Sequence, residues 1–216
     1  MLESPIIKVC AGSVPSASQV FSSGSGSGFL RSNASPPNTA LKKPSSPFRR
    51  NKGSEHLLTR TLAQVGAPPA LYDDAWARYQ HHYLAINGQH SDVFPGVPEG
   101  LRALRDAGLK LACLTNKPTA FARTLLAIKG LDGHFAHVFG GDAFERKKPD
   151  PLPLLKTCEA LGSAPSRTLM IGDSSNDAAA ARAAGCPVVL VSYGYNHGEP
   201  VASAGPDAVV DRLDEL

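Results

Sequence analysis

From Leu57 onward the apolar positions of the chain recur at helical spacings, and then helix and strand patterns alternate. Leu57, Leu58, Leu62 and Val65 share one helical face, and Gly66 with Pro68-Pro69 stops that helix. Tyr72, Trp76, Tyr79, Tyr83 and Ile86 follow at spacings of four and three, which predicts a second amphipathic helix with an aromatic stripe. Such a stripe reads as helix–helix packing in preference to a cofactor box. Asn87-Gly88 ends the pair, and Phe94-Pro-Gly-Val97 is a break suited to a hinge. A helix carrying Leu101 and Leu104 then closes at Gly108, strand Lys110 to Leu114 leads to Thr115-Asn116, and a helix carries Phe121, Leu125 and Ile128. A short strand at Val138-Phe139, a helix with Leu155, Cys158 and Leu161, strand Thr168 to Ile171, a helix from Asn176 to Ala184 and strand Pro187 to Val191 complete the run. Strands alternating with helices predict an α/β fold with a parallel, doubly wound sheet, and the helical pair ahead of the hinge reads as part of a lid.

Residues 1–51 have a different composition: twelve serines, six Lys or Arg, Glu3 as the sole acid, and the glycine-serine run Ser22 to Gly28. Such a segment buries too little apolar surface to offset its ordering entropy and is expected to be mostly disordered. Ile6 to Cys10 is its one strand-like run, able to form a strand if a sheet offers it an edge. Gly24, Gly26 and Gly28 lack the spacing of G-x-G-x-x-G and a Lys-Ser/Thr partner, so a flexible linker is the better reading.

The 216 residues are 42% apolar, enough for a core, and a net charge of +3 is too mild to argue for nucleic acid. No run approaches the roughly 18 apolar residues of a membrane span. Cys10, Cys113, Cys158 and Cys186 show no C-x-x-C spacing, so neither paired thiols nor a zinc site is expected and a cytoplasmic, reducing setting fits.

The chemistry concentrates after the strands. Thr168 to Gly172 delivers Asp173 to the carboxyl edge of the predicted sheet, where open α/β folds bind ligands, and Asp177 follows where a helix starts. Oxygen donors there suit a hard cation such as Mg²⁺. Asp177 has a second reading as a first-turn acid complementing the helix dipole. Thr115, ending a buried strand, can hold a phosphate oxygen together with backbone N–H groups. Taken alone, a plain helix cap is the better reading of that threonine. Lys148, held against Pro149, offers a fixed ammonium able to offset oxyanion charge, with an exposed basic loop as the equal alternative.

In this order the motifs resemble those of the haloacid dehalogenase (HAD) superfamily, and within it the phosphoglycolate phosphatases. Leu114-Thr-Asn-Lys-Pro118, Lys148-Pro-Asp-Pro151 and Gly172-Asp-Ser-Ser-Asn-Asp177 carry the likeness, together with Phe94-Pro-Gly-Val97, Phe139-Gly-Gly-Asp142 and Val191-Ser-Tyr-Gly-Tyr-Asn196. The resemblance implies a Rossmann-like core, a helical cap and Mg²⁺-dependent hydrolysis of a small phosphorylated organic acid, with 2-phosphoglycolate favoured by Tyr193-Gly-Tyr-Asn196. It implies that Thr115 and Lys148 serve catalysis, that Thr115, Asn116 and Lys148 hold the substrate, and that Asp173 binds metal with Asp177 as ligand or orienting acid. The corresponding organisation is a low-complexity segment over 1–51, a partial helical cap over 52–92 and an α/β core over 93–216.

The family opens with a strand ending in Asp-x-Asp-Gly-Thr, whose first Asp attacks phosphorus and whose second works as acid and base. No aspartate precedes Asp73 in this chain. Asp73-Asp74 lies at the start of the aromatic helix, and Cys10 is a poor substitute because a thiolate is a weak Mg²⁺ ligand. Residues 1–51 are therefore expected to be text from another frame or start; a transit segment and a catalytically dead relative are the other accounts. Little or no turnover is expected, the alternative being an inactive phosphatase-like binding protein. The missing central strand also predicts weak, broad unfolding through unpaired sheet edges, unless Ile6 to Cys10 fills the gap.

Overall fold

The computed structural model describes residues 9–12, 53–196 and 198–216. Among them, six strands form one sheet in the order β3-β2-β1-β4-β5-β6. The strands are β1 (Val9–Gly12), β2 (Lys110–Leu114), β3 (His137–Phe139), β4 (Thr168–Gly172), β5 (Val188–Val191) and β6 (Ala208–Val210). The helices are α1 (Gly53–Gln64), α2 (Tyr72–Ile86), α3 (Val97–Asp106), α4 (Thr119–Ile128), α5 (Leu152–Leu161) and α6 (Ser175–Ala184).

Successive strand residues point to opposite faces of a sheet, and two cores follow from that alternation. Val9, Ala11, Leu111, Cys113, Leu169 and Ile171 pack on one face with Leu101 and Leu104 of α3. Cys10, Ala112, Leu114, Met170, Val188 and Leu190 pack on the other with Leu154, Cys158 and Leu161 of α5 and Ala178 and Ala181 of α6. The alanines of α6 let it lie close to β4 and β5. Its stop at Gly185, with φ of 76°, needs the left-handed backbone that glycine adopts without strain.

The sheet departs from the expected pattern at its centre. β2–β3, β4–β5 and β5–β6 are parallel pairs, but β1 runs antiparallel to both β2 and β4. The expected strand Ile6 to Cys10 is found as Val9–Gly12, and Ile6, Ile7 and Lys8 lie outside the described residues. Val9, Cys10 and Ala11 are fully buried, so this part of the segment expected to be disordered is core. The rest of the 1–51 reading lies outside the described residues. Backbone ladders form in either direction, so the slot between β2 and β4 constrains the apolar, small character of its occupant more than its polarity. Filling it pairs the inner edges of β2 and β4, which removes the reason to expect broad unfolding through exposed edges.

Direction still matters for chemistry. Gly12, the end of β1, lies opposite Lys110 and Thr168, where β2 and β4 begin. A parallel strand would instead end beside Leu114 and Gly172. Here β1 starts at that edge, with Val9 opposite Cys113 and Ile171.

In α2 the aromatic stripe packs along itself, with ring centroids 5.5 Å apart for Trp76–Tyr79 and 5.7 Å for Tyr79–Tyr83, and it ends on the core where Tyr83 meets Phe121 of α4 at 4.8 Å. Lys117 also donates to the Tyr83 hydroxyl at 2.7 Å. No helix among the described residues is long and apolar enough to cross a membrane.

Candidate functional site

The carboxyl ends of β2, β3, β4 and β5 share one edge of the sheet, and each sequence-predicted residue lies on it or reaches it. Cys113 and Ile171 both face Val9, so Thr115 and Asp173, each two residues further on, emerge level with one another across the β1 slot. Strands two positions apart are separated by about 10 Å.

Lys148 spans that gap. Its side chain is fully buried, and its Nζ lies 2.8 Å from Asp177 Oδ1 and donates to the Leu114 carbonyl at 2.5 Å. One contact is therefore at the end of β2 and the other at the start of α6, beside the end of β4. The exposed-loop reading suits Lys147, which faces solvent, but not Lys148. Asn116 fixes the lysine from behind: its side-chain amide donates to the Lys148 carbonyl at 2.8 Å, and its Oδ1 accepts the Lys148 N–H at 3.1 Å. The Asn116 side chain thus orients Lys148. Thr115 is half-buried, and its Oγ1 accepts the Lys117 N–H at 3.2 Å.

Asp173 and Asp177 are both buried, but their oxygens do different work. Asp177 Oδ2 accepts the Asp173 N–H at 3.1 Å and the Ser174 hydroxyl at 2.8 Å, while Oδ1 faces Lys148. Of the two alternatives for Asp177, ligand or orienting acid, this geometry has the form of the second. Asp173 Oδ2 accepts the Tyr195 N–H at 3.2 Å. A Cβ on Gly194 would collide with the Asp173 side chain, so only glycine lets the loop after β5 close over it.

That loop supplies a residue whose role the sequence did not reveal. Asn196 Oδ1 accepts the Ser175 N–H at 2.8 Å, capping α6 from outside its own segment. Its signal was available: a polar residue shortly after an apolar strand, at the same sheet edge as Asp173. Tyr193 stacks on Phe94 with centroids 4.3 Å apart. Burial, with the negative charges of Asp173 and Asp214, pushes its hydroxyl up to about 12, so it stays a neutral phenol. Burial likewise pushes the Cys10 thiol well above its ordinary range despite nearby Lys148, and its Sγ lies 3.6 Å from the Met170 sulfur.

A family model for haloacid dehalogenase-like hydrolases matches residues 23–185. The chain belongs to this family. The match begins inside the segment that composition sets apart and ends at the close of α6. Over 166 residues the chain is 52% identical to a phosphoglycolate phosphatase from Thiobacillus denitrificans, covering 76% of this chain and 73% of the relative. It is 46% identical over 167 residues to a plasmid phosphoglycolate phosphatase from Cupriavidus necator, covering 76% and 72%. The crystal structure of a predicted phosphoglycolate phosphatase from Haemophilus somnus superposes with a TM-score of 0.70 at 32% identity, covering 76% of this chain and 75% of that one. The chain is thus a phosphoglycolate phosphatase-like member of the HAD hydrolases, with the α/β architecture that its motifs imply.

Phosphatases of this family generally use a divalent metal, typically Mg²⁺. Mg²⁺ takes an octahedral set of oxygens, usually through one or two carboxylates with phosphate oxygens and water. At this edge Asp177 is engaged by Lys148, Ser174 and the Asp173 N–H, which leaves Asp173 as the one carboxylate turned to the task. Among the described residues no group of three or more His, Cys, Asp or Glu side chains gathers that could hold a metal. The described residues therefore do not fit a resident Mg²⁺ by themselves, and no chemical step is routed through one.

Proposed function

We propose that this edge is the phosphate-holding part of a phosphoglycolate phosphatase-type site, cytoplasmic and acting on a small phosphorylated organic acid such as 2-phosphoglycolate. The observation that carries the reading is the position of Lys148, whose buried ammonium joins the end of β2 to the carboxylate beneath Asp173. In this reading the Thr115 hydroxyl and the backbone N–H groups that follow it hold phosphate oxygens. Lys148 offsets their charge inside a low-dielectric setting, where such an interaction is stronger than in water. Asp173 presents its carboxylate at the same edge, Asp177 orients Lys148, and the two helices over 52–92 act as a partial cap.

The 216-residue chain has little or no turnover in this account. The covalent route needs a carboxylate at the edge between Thr115 and Asp173, and β1 carries its final residue to the opposite edge, beside Lys110 and Thr168. A binding role on the same scaffold is the second reading, and the fully buried β1 favours it, because it leaves the chain with a complete core rather than a ruptured one. The test is phosphate release from 2-phosphoglycolate by purified chain with Mg²⁺, beside Asp173→Asn. The two proteins are expected to be indistinguishable and near background. Release at an enzymatic rate that Asp173→Asn abolishes would overturn it.

A further inference from the structure

The cysteines, unpaired by any spacing in the sequence, are not scattered in the fold. Cys158 sits in the last turn of α5 and Cys186 between α6 and β5, and their sulfurs lie 3.9 Å apart within one core cluster. Both residues are almost completely buried. Cys186 also lines a surface hollow of about 350 Å³, together with Ser166, Arg182, Pro187 and Asp207. A path for a small, uncharged oxidant therefore ends beside the pair.

We propose that Cys158 and Cys186 form a peroxide-reactive dithiol that closes to a reversible disulfide, tying α5 to the turn between α6 and β5. A disulfide requires the sulfurs to approach from 3.9 Å to about 2 Å. The contact between the two sulfurs, opposed by burial and aided by the Thr168 hydroxyl, lowers the Cys158 thiol, while the same contact and burial raise Cys186. We assign the attacking thiolate to Cys158.

The Cys158 thiolate attacks hydrogen peroxide, a sulfur–oxygen bond forms, the oxygen–oxygen bond breaks, and the departing hydroxide takes the Cys186 proton to become water. The Cys186 thiolate then attacks the Cys158 sulfenic acid, the sulfur–sulfur bond forms, and the second hydroxide leaves as water with the proton that Cys158 first released. Two thiols lose two electrons and one peroxide gains them. Cys113 packs on the other face of the sheet, and Cys10 is held as a thiol against Met170, so neither competes.

The full chain treated with hydrogen peroxide, then alkylated and digested without reductant, tests the pairing by mass spectrometry. The expected product is one Cys158–Cys186 cross-link, two hydrogens lighter than the free thiols and reversed by dithiothreitol. Cys158→Ser should form no intramolecular link. The same oxidation in concentrated urea should scatter the pairings, because the fold and not the chain brings the two sulfurs together. Four thiols still free after peroxide, oxygen added to a sulfur without a link, a link to Cys10 or Cys113, or the same single link in urea would each overturn the proposal.

Discussion

Lys148 and Asp177 meet at 2.8 Å with both side chains fully buried, and that pair is the mechanical centre of the sheet edge. Removing one member strands the other charge away from water, at a typical cost of about 3–5 kcal/mol. Lys148→Met is therefore expected to lower unfolding free energy by about that amount, and Asp177→Asn by somewhat less, because its amide oxygen can still accept from Asp173 and Ser174. The double variant should be less destabilised than the sum of the singles, with a coupling of at least about 1.5 kcal/mol. Urea unfolding of all four proteins measures this; additive losses would mean that the ion pair is not formed.

The close approach of Gly194 to Asp173 gives a steric prediction. Gly194→Ala should displace the Asp173 side chain and cost about 1–3 kcal/mol, the usual range for overpacking. Gly133→Ala has nothing within 4 Å of the added methyl and should stay within about 0.5 kcal/mol of the parent. Equal thermal midpoints for the two variants would contradict the packing described for the loop after β5.

How much of this was legible in the sequence depends on the range of the interaction. β2, β4 and α6 were read to within a residue, because apolar runs closed by Gly, Asn or Asp mark them locally. Thr115 and Asp173 were placed at one edge by following strands of a sheet with parallel order, whereas Lys148 was read as a lysine fixed by prolines before a helix and joined to them by the family resemblance. The direction of β1 was not legible, since four small apolar residues satisfy a ladder either way. The short strand β6 was missed for the same reason of brevity. Asn196 at the α6 terminus and the Cys158–Cys186 contact depend on loops closing across the fold, and no local spacing encodes them.

Acid should weaken the fold through carboxylates outside the site. Burial alone would raise Asp142, but hydrogen bonds from the Thr119 hydroxyl and N–H outweigh it and hold its carboxyl below the usual range. Burial is likewise outweighed at Asp207 by Arg182 and the Val188 N–H. Lowered values in the folded state mean that the unfolded chain binds protons first. Their contribution is thus complete above the ordinary carboxylate pKa of about 4 and is lost as pH falls through the depressed values. Urea midpoints should fall steeply below about pH 4, and Asp142→Asn and Asp207→Asn should each flatten that slope. A slope unchanged in both variants would rule out these two groups as its source.

Metal addition separates this chain from a complete metal-binding site. A single carboxylate at the edge predicts that about 5 mM Mg²⁺ leaves the thermal midpoint unchanged, since a ligand stabilises only when its concentration exceeds its dissociation constant. A rise of several degrees, abolished by Asp173→Asn, would show that other groups complete the coordination.

The most direct test of the central claim is a backbone amide map of the chain titrated with 2-phosphoglycolate. If Thr115, Lys148 and Asp173 line one phosphate-holding edge, the amides of Thr115, Asn116, Lys148 and Asp173 to Ser175 shift together with one binding curve, and Lys148→Met removes the response. Shifts confined to one of these segments, or gathered elsewhere on the molecule, would contradict a shared site.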